Sequence, residues 1–353
     1  MSASIRVFAV LADPRLRQQV QKQWRANGVT LCGMHAEYSE SLIEAVARLR
    51  PDVIVADAEL DDASIFVHGV AMRFRVPVVA VVHGARNGIT ALRPLEWGAI
   101  SLVARTDQAA DALVRELDAA VHLVREAQVV ELLDSVFPLS GAFPDAAVFD
   151  MRRALRDMRP GDKAVVLGAG LGGPMALRRI LQKLSGHACS PLIYVQRISD
   201  TLVPSLVAWL ERHTGVETQR AINGQILEVG QVYVAGAREE VVVERRGTKT
   251  ILKVSPPNGN DKPMDALLTS VANTYGDAGV GVLLSGHGDD GCEGMKAMRA
   301  AGGLTIAQDR ASSLVYELPG RVRDCGGAIE CLPINEIAER ILMLMPSEQT
   351  ARV

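Results

Sequence analysis

Short β-branched runs alternate with longer amphipathic stretches from Ile5 onward, the rhythm of a parallel sheet wrapped by helices. The apolar runs Ile5–Val10, Asp52–Ala56, Val76–Val82 and Ile100–Ala104, with a weaker one over Val29–His35, predict five strands in the N-terminal third. Between them, Pro14–Ala26 sets Leu16, Val20 and Trp24 on one helical face, and Ser39–Leu49 does the same with Ile43, Val46 and Leu49. Asp107 is placed to cap a helix through Leu113, Leu117 and Val121.

Helical character continues over Leu123–Phe137, until breakers appear between Pro138 and Pro144. A boundary is therefore expected between Glu126 and Asp162, giving domains at 1–125 and 162–348 joined by a helical linker over 126–161. The alternation then restarts. A strand at Ala164–Leu167 leads through a glycine-rich turn into a helix carrying Leu177, Ile180, Leu181 and Leu184. Further strands are predicted at Leu192–Gln196, Val232–Ala235, Val280–Ser285 and Leu304–Ala307, and a β-hairpin over Glu240–Val254 about Arg246-Gly247. The fold class is α/β, with two doubly wound parallel sheets.

Composition adds bounds. A chain of 353 residues, 48% of them hydrophobic, can fill two cores. A net charge of −3 supplies no basic field for nucleic acid or anionic lipid, so neither is expected as a partner. Met1–Arg6 lacks the order of a signal peptide, and the densest apolar run, Val76–Val82, falls far short of the roughly 20 residues that span a bilayer. A cytoplasmic protein without membrane insertion is expected. Cys32, Cys189, Cys292, Cys325 and Cys331 show no paired metal-ligand spacing, and all five read as reduced, buried small hydrophobes. Trp97 and Trp209 lie in helical segments and read as packing residues. Nothing in the sequence calls for a metal or a resident cofactor.

Gly168-Ala169-Gly170-Leu171-Gly172-Gly173 follows a predicted strand and opens a helix. Alone, it satisfies a dinucleotide-binding pattern, with Arg197 available to a 2′-phosphate. Other motifs point elsewhere. Leu284-Ser285-Gly286-His287-Gly288-Asp289-Asp290-Gly291, followed by Gly294-Met295, resembles the aspartate-bearing loop of the chemotaxis methylesterase family, CheB. Ala307-Gln308-Asp309, then Ala311-Ser312 and Pro319, resembles that family's next block, and the glycine turn, Gln196 and Tyr233-Val234-Ala235 stand in the family's order. The resemblance covers Asp162 to Met345.

The resemblance implies a domain that removes methyl groups from glutamate methyl esters on chemoreceptors, using a serine nucleophile, a histidine base and an orienting aspartate. It places Gly170 at the serine position, Arg197 at the histidine position and Asp290 at the aspartate position. Glycine has no nucleophile, and arginine keeps its proton, so only Asp290 remains of the triad. Ser285, His287 and Asp290 could form a replacement triad within one loop, but the family uses neither of the first two; His287 reads as an exposed polar loop residue. The loops are expected to bring Arg197 and Asp290 into a direct or water-bridged ion pair.

The first domain resembles a response-regulator receiver, which implies a flavodoxin-like fold. Pro51-Asp52-Val53-Ile54-Val55-Ala56-Asp57 matches the strand that ends in the phosphoryl-accepting aspartate, which puts Asp57 in the acceptor position, and Gly98-Ala99-Ile100 matches the approach to the last strand. The family's paired magnesium-binding acids are replaced by Leu11 and Ala12, with only Asp13 nearby; its hydroxyl residue by Val82 or His83; and its lysine by Arg105 or Thr106. Phosphoryl transfer needs cations around the moving group, so Asp57 reads equally as an acceptor or as a strand-end acid. Glu59, Asp61 and Asp62 read most simply as a solvated loop, with weak cation binding as the alternative. Together these features predict a chemosensory signalling protein that binds a chemoreceptor or another pathway protein without catalysis. The alternatives are a protein-glutamate methylesterase with a rearranged site and, last, a nucleotide-binding protein.

Overall fold

The computed structural model describes residues 4–83, 88–105, 110–125, 163–185, 190–236, 238–256 and 262–344. The predicted linker over 126–161, the capping Asp107, Thr106 and Cys189 lie outside them. The chain divides into two compact units.

The first unit runs β1 (Ile5–Val10), α1 (Pro14–Ala26), β2 (Val29–His35), α2 (Ser41–Leu49), β3 (Val53–Asp57), α3 (Ala63–Phe74), β4 (Val78–His83), a 3-10 turn at Gly88–Leu92 entering α4 (Arg93–Glu96), β5 (Ser101–Arg105) and α5 (Ala110–Val124). Its five strands are ordered β2-β1-β3-β4-β5, and every pairing is parallel. Helices cover both faces, so β3 is buried along its whole length and is apolar up to its last residue, Asp57. Leu16, Val20 and Trp24 are the buried stripe of α1. Pro14 opens that helix, and Asp13 caps it by accepting from the amides of Arg15 (2.8 Å) and Leu16 (3.3 Å). In α2 the fully buried pair is Leu42 and Val46, while Ile43 and Leu49 pack at its margin, a phase rotated from the predicted face. Trp97 ends α4 and packs against the core, and Trp209 is fully buried.

The second unit contains β6 (Ala164–Ala169), α6 (Gly173–Leu184), β7 (Leu192–Gln196), α7 (Val203–Thr214), β8 (Thr218–Arg220), β9 (Val232–Gly236), β10 (Glu240–Arg246), β11 (Lys249–Ser255), α8 (Pro263–Tyr275), β12 (Gly279–Leu283), α9 (Cys292–Ala300), β13 (Leu304–Gln308), α10 (Glu317–Asp324), β14 (Glu330–Leu332) and α11 (Ile334–Leu344). Seven parallel strands are ordered β14-β13-β12-β6-β7-β9-β8. The predicted hairpin is β10–β11, antiparallel and closing at Arg246 opposite Lys249. Two details differ from expectation. β12 stops at Leu283, which leaves Ser285 in a loop. Cys331 is exposed, not buried, because it sits on the three-residue edge strand β14; Cys292 is buried, while Cys32 and Cys325 are half-buried. Among the described residues no helix is long and apolar enough to cross a membrane.

Both sheets reverse strand order once. The chain leaves β6 toward β7 and returns on its other side as β12, and β1 is likewise flanked by β2 and β3. The crevices at the C-terminal ends of β6/β12 and β1/β3 are therefore where an open parallel sheet presents a site.

Candidate functional site

In the second unit, the glycine turn after β6 meets the loop after β12 backbone to backbone. The Gly170 amide donates to Ser285 O (2.9 Å), and the Leu284 amide to Gly168 O (2.9 Å). A Cβ on Gly170 would stand 3.1 Å from Gly286 Cα, closer than ordinary van der Waals contact, and a Cβ on Gly286 would stand 2.7 Å from Gly170 N. The nucleophile position implied by the resemblance is thus closely faced by the backbone of the opposite loop. Gln196 holds the turn from beneath: its Nε2 donates to Gly170 O (2.8 Å), and its Oε1 accepts from the Tyr194 hydroxyl, both side chains being buried. A Cβ on Gly173 would collide with both groups, so glycine is needed where α6 starts.

Ser285 is 2% exposed and fully engaged. Its hydroxyl donates to Leu171 O (2.6 Å) and accepts from the Val315 amide (2.9 Å), while its own amide donates to Gln308 Oε1 (2.8 Å). This side chain ties three loops together, and a hydroxyl so held is a structural bolt. The one-loop triad is not assembled, because the Ser285 hydroxyl donates to Leu171 O on another loop; His287, expected to be exposed, is instead half-buried.

Asp290 is 2% exposed, and its carboxylate points at the start of α8. Oδ2 accepts from the Met264 amide (3.2 Å) and Oδ1 from the Asp265 amide (3.0 Å). Burial pushes its pKa up from 3.8 to about 6, against the lowering pull of those amides and of Arg197. Asp265 in turn accepts from the Gly294 amide (2.7 Å), so α8 and α9 exchange carboxylate caps.

The direct form of the expected ion pair is not made. Among the described residues no direct salt bridge joins Arg197 to Asp290, whose oxygens accept from helix amides while the guanidinium acts on it only at longer range. The Arg197 amide donates to Ala169 O (2.9 Å), which fixes its backbone beside the glycine turn, while its long side chain is exposed. Its Nη1 lies 3.3 Å from where a Cβ on Gly288 would stand. Sequence reasoning missed Lys262, whose Nζ bonds the Asp289 carboxylate (2.8 Å), and Asp265; the signal for both was Pro263 at the first position of a helix with an acid in its first turn.

In the first unit Asp57 is 3% exposed at the end of β3. Its carboxylate accepts from the amides of Ala12 and Glu59, each at 3.3 Å. Leu11 is fully buried. Besides capping α1, Asp13 pairs with Arg105 (3.4 Å), and Arg17 donates to the carbonyls of Leu11 (2.6 Å) and Ala12 (2.8 Å). Glu59 faces the amide of His83 (3.3 Å) at the end of β4, while Asp61 and Asp62 are exposed.

Comparison with known proteins agrees with this architecture. A family model described as CheB methylesterase matches residues 165–341. The protein-glutamate methylesterase/protein-glutamine glutaminase 1 of Caulobacter vibrioides is 35% identical over 306 residues, covering 85% of this chain and 86% of the relative. Its namesake from Syntrophus aciditrophicus is 30% identical over 319 residues, covering 88% and 90%. Among solved structures, the Thermotoga maritima CheB methylesterase catalytic domain is similar with a TM-score of 0.50 and 27% identity, over 52% of this chain and 98% of that one.

Proposed function

The chain belongs to the CheB methylesterase family, and we propose that within it this protein is a non-catalytic member that binds a chemoreceptor or another chemosensory-pathway protein in the cytoplasm. The observation that carries the reading is Gly170 itself at the position the family fills with serine: it offers no nucleophile, and a Cβ there would stand 3.1 Å from Gly286 Cα, so a side chain would require the opposite loop to give by a few tenths of an ångström. Arg197 at the base position supports it, since a guanidinium does not accept a proton at ordinary pH. In this reading a receiver-like domain occupies 1–125, a linker 126–161 and the methylesterase-like domain 162–348, and Asp290 persists because it caps α8.

An active enzyme with a rearranged site would need a mobile hydroxyl beside a base, whereas the Ser285 hydroxyl is bonded on both sides. A nucleotide at the glycine turn would need its amides, and the Gly170 amide is already donated to Ser285. The test is methanol release from a methyl-esterified receptor incubated with the full chain. No release above background is expected, and turnover that tracks enzyme concentration would refute the proposal.

A further inference from the structure

Arg197 stands at the mouth of the crevice between β6 and β12 with its donors uncommitted. Its guanidinium makes no hydrogen bond or ion pair among the described residues, although its backbone is anchored to Ala169 O. The neighbouring acids are engaged elsewhere: Asp289 with Lys262 (2.8 Å) and Asp290 with the amides of Met264 and Asp265. Gly288, with a φ of +91°, presents no side chain to the guanidinium. The outcome is an always-charged planar donor, exposed and anchored through its backbone beside the glycine turn at the sheet's switch point.

We propose that Arg197 makes this mouth a recognition site for the carboxylate of a protein glutamate side chain. The inference rests on the non-catalytic reading above. The relatives are named for an activity that leaves a glutamate carboxylate on a protein, and the two forms of that side chain differ in what they offer an arginine. A methyl ester is neutral and presents one good acceptor, with a methyl group over its second oxygen. The carboxylate presents two equivalent anionic oxygens in one plane, matched to the guanidinium fork. Glutamine is neutral and turns an NH2 donor toward a donor. The site therefore selects the demethylated side chain by charge and by shape, and the chain reads the product of the reaction that its relatives are named for.

Matched peptides that differ at one residue, carrying glutamate, its γ-methyl ester or glutamine, provide the probe, titrated into the full chain at low ionic strength. The glutamate peptide is expected to bind about tenfold more tightly than either neutral one, the scale of a charge-assisted hydrogen bond. Added salt should erode the preference. Arg197→Gln should abolish it and Arg197→Lys retain part, since lysine keeps the charge without the fork. Equal affinity for the three peptides, no binding of the glutamate peptide at millimolar concentration, or a preference that survives in Arg197→Gln overturns the carboxylate site. Methanol appearing from the ester peptide sinks the non-catalytic reading instead, so the two failures are distinguishable.

Discussion

At Gly170 the backbone of the opposite loop comes close. A serine there would bring its Cβ to 3.1 Å from Gly286 Cα, so the backbone of one loop must yield by a few tenths of an ångström. Overpacking of this kind costs about 1–3 kcal/mol, and Arg197, at the base position, cannot take the proton of the new hydroxyl. Gly170→Ser alone is therefore expected to lose stability in urea unfolding and to release no methanol from an ester peptide. The double change with Arg197→His has the better prospect. Turnover in the single variant would reveal a base other than the residue at position 197. Asp290 gives a second expectation at this scale. Its folded pKa, raised by burial to about 6, lies above the unfolded value of 3.8, so the folded state holds this proton more tightly. The contribution of the group is then greatest below the unfolded value and falls as pH rises through 6; the two values are separated by the equivalent of roughly 3 kcal/mol. Asp290→Asn removes the titration but leaves one helix amide without an acceptor. The stability of the wild type relative to this variant should drop between pH 4.5 and 7.5, and a difference independent of pH in that range would contradict the assignment.

At the scale of elements, the site is three loops and a helix start locked by buried polar groups. Ser285 joins residues 114 and 30 positions away, and Asp290 reaches amides 26 and 25 positions away. Ser285→Ala should strand the Val315 amide without an acceptor and lower stability by about 1–3 kcal/mol, measured by denaturant titration. An unchanged midpoint would mean that the loops are held by backbone contacts alone. These long sequence separations also explain what was legible beforehand. The strands and α1 were readable because period and capping are local, as the buried stripe Leu16, Val20 and Trp24 demonstrates. Gly170, Arg197 and Asp290 could be placed because motif order survives substitution. The partners of Asp290 could not be foreseen, since no local pattern says that a loop carboxylate will cap a helix that begins at Pro263. The edge strands β8 and β14 escaped because three residues are too few to establish a period.

At the scale of the whole molecule, each sheet carries a crevice at its strand reversal, and in each the strand-end carboxylate, Asp57 or Asp290, accepts from backbone amides. In the first unit Asp13 is committed to capping α1 and to Arg105, and Arg17 is bonded to the two carbonyls that leave β1. Asp57 retains the strand-end position, but its carboxylate faces the amides of Ala12 and Glu59. Transfer of a phosphoryl group to it would need cations close to the moving oxygens. The side chains at the exit of β1 are Leu11, fully buried, and Ala12, neither of which can ligate one. With excess small-molecule phosphodonor and magnesium, Asp57 is therefore expected to stay far below stoichiometric phosphorylation, as read by Phos-tag electrophoresis or intact mass. The same treatment should leave the glutamate-peptide preference of the second unit unchanged, because no phosphoryl group forms to drive a response. Stoichiometric modification that disappears in Asp57→Ala would overturn this expectation. A peptide affinity that shifts with it would further make the first unit a working input to the second.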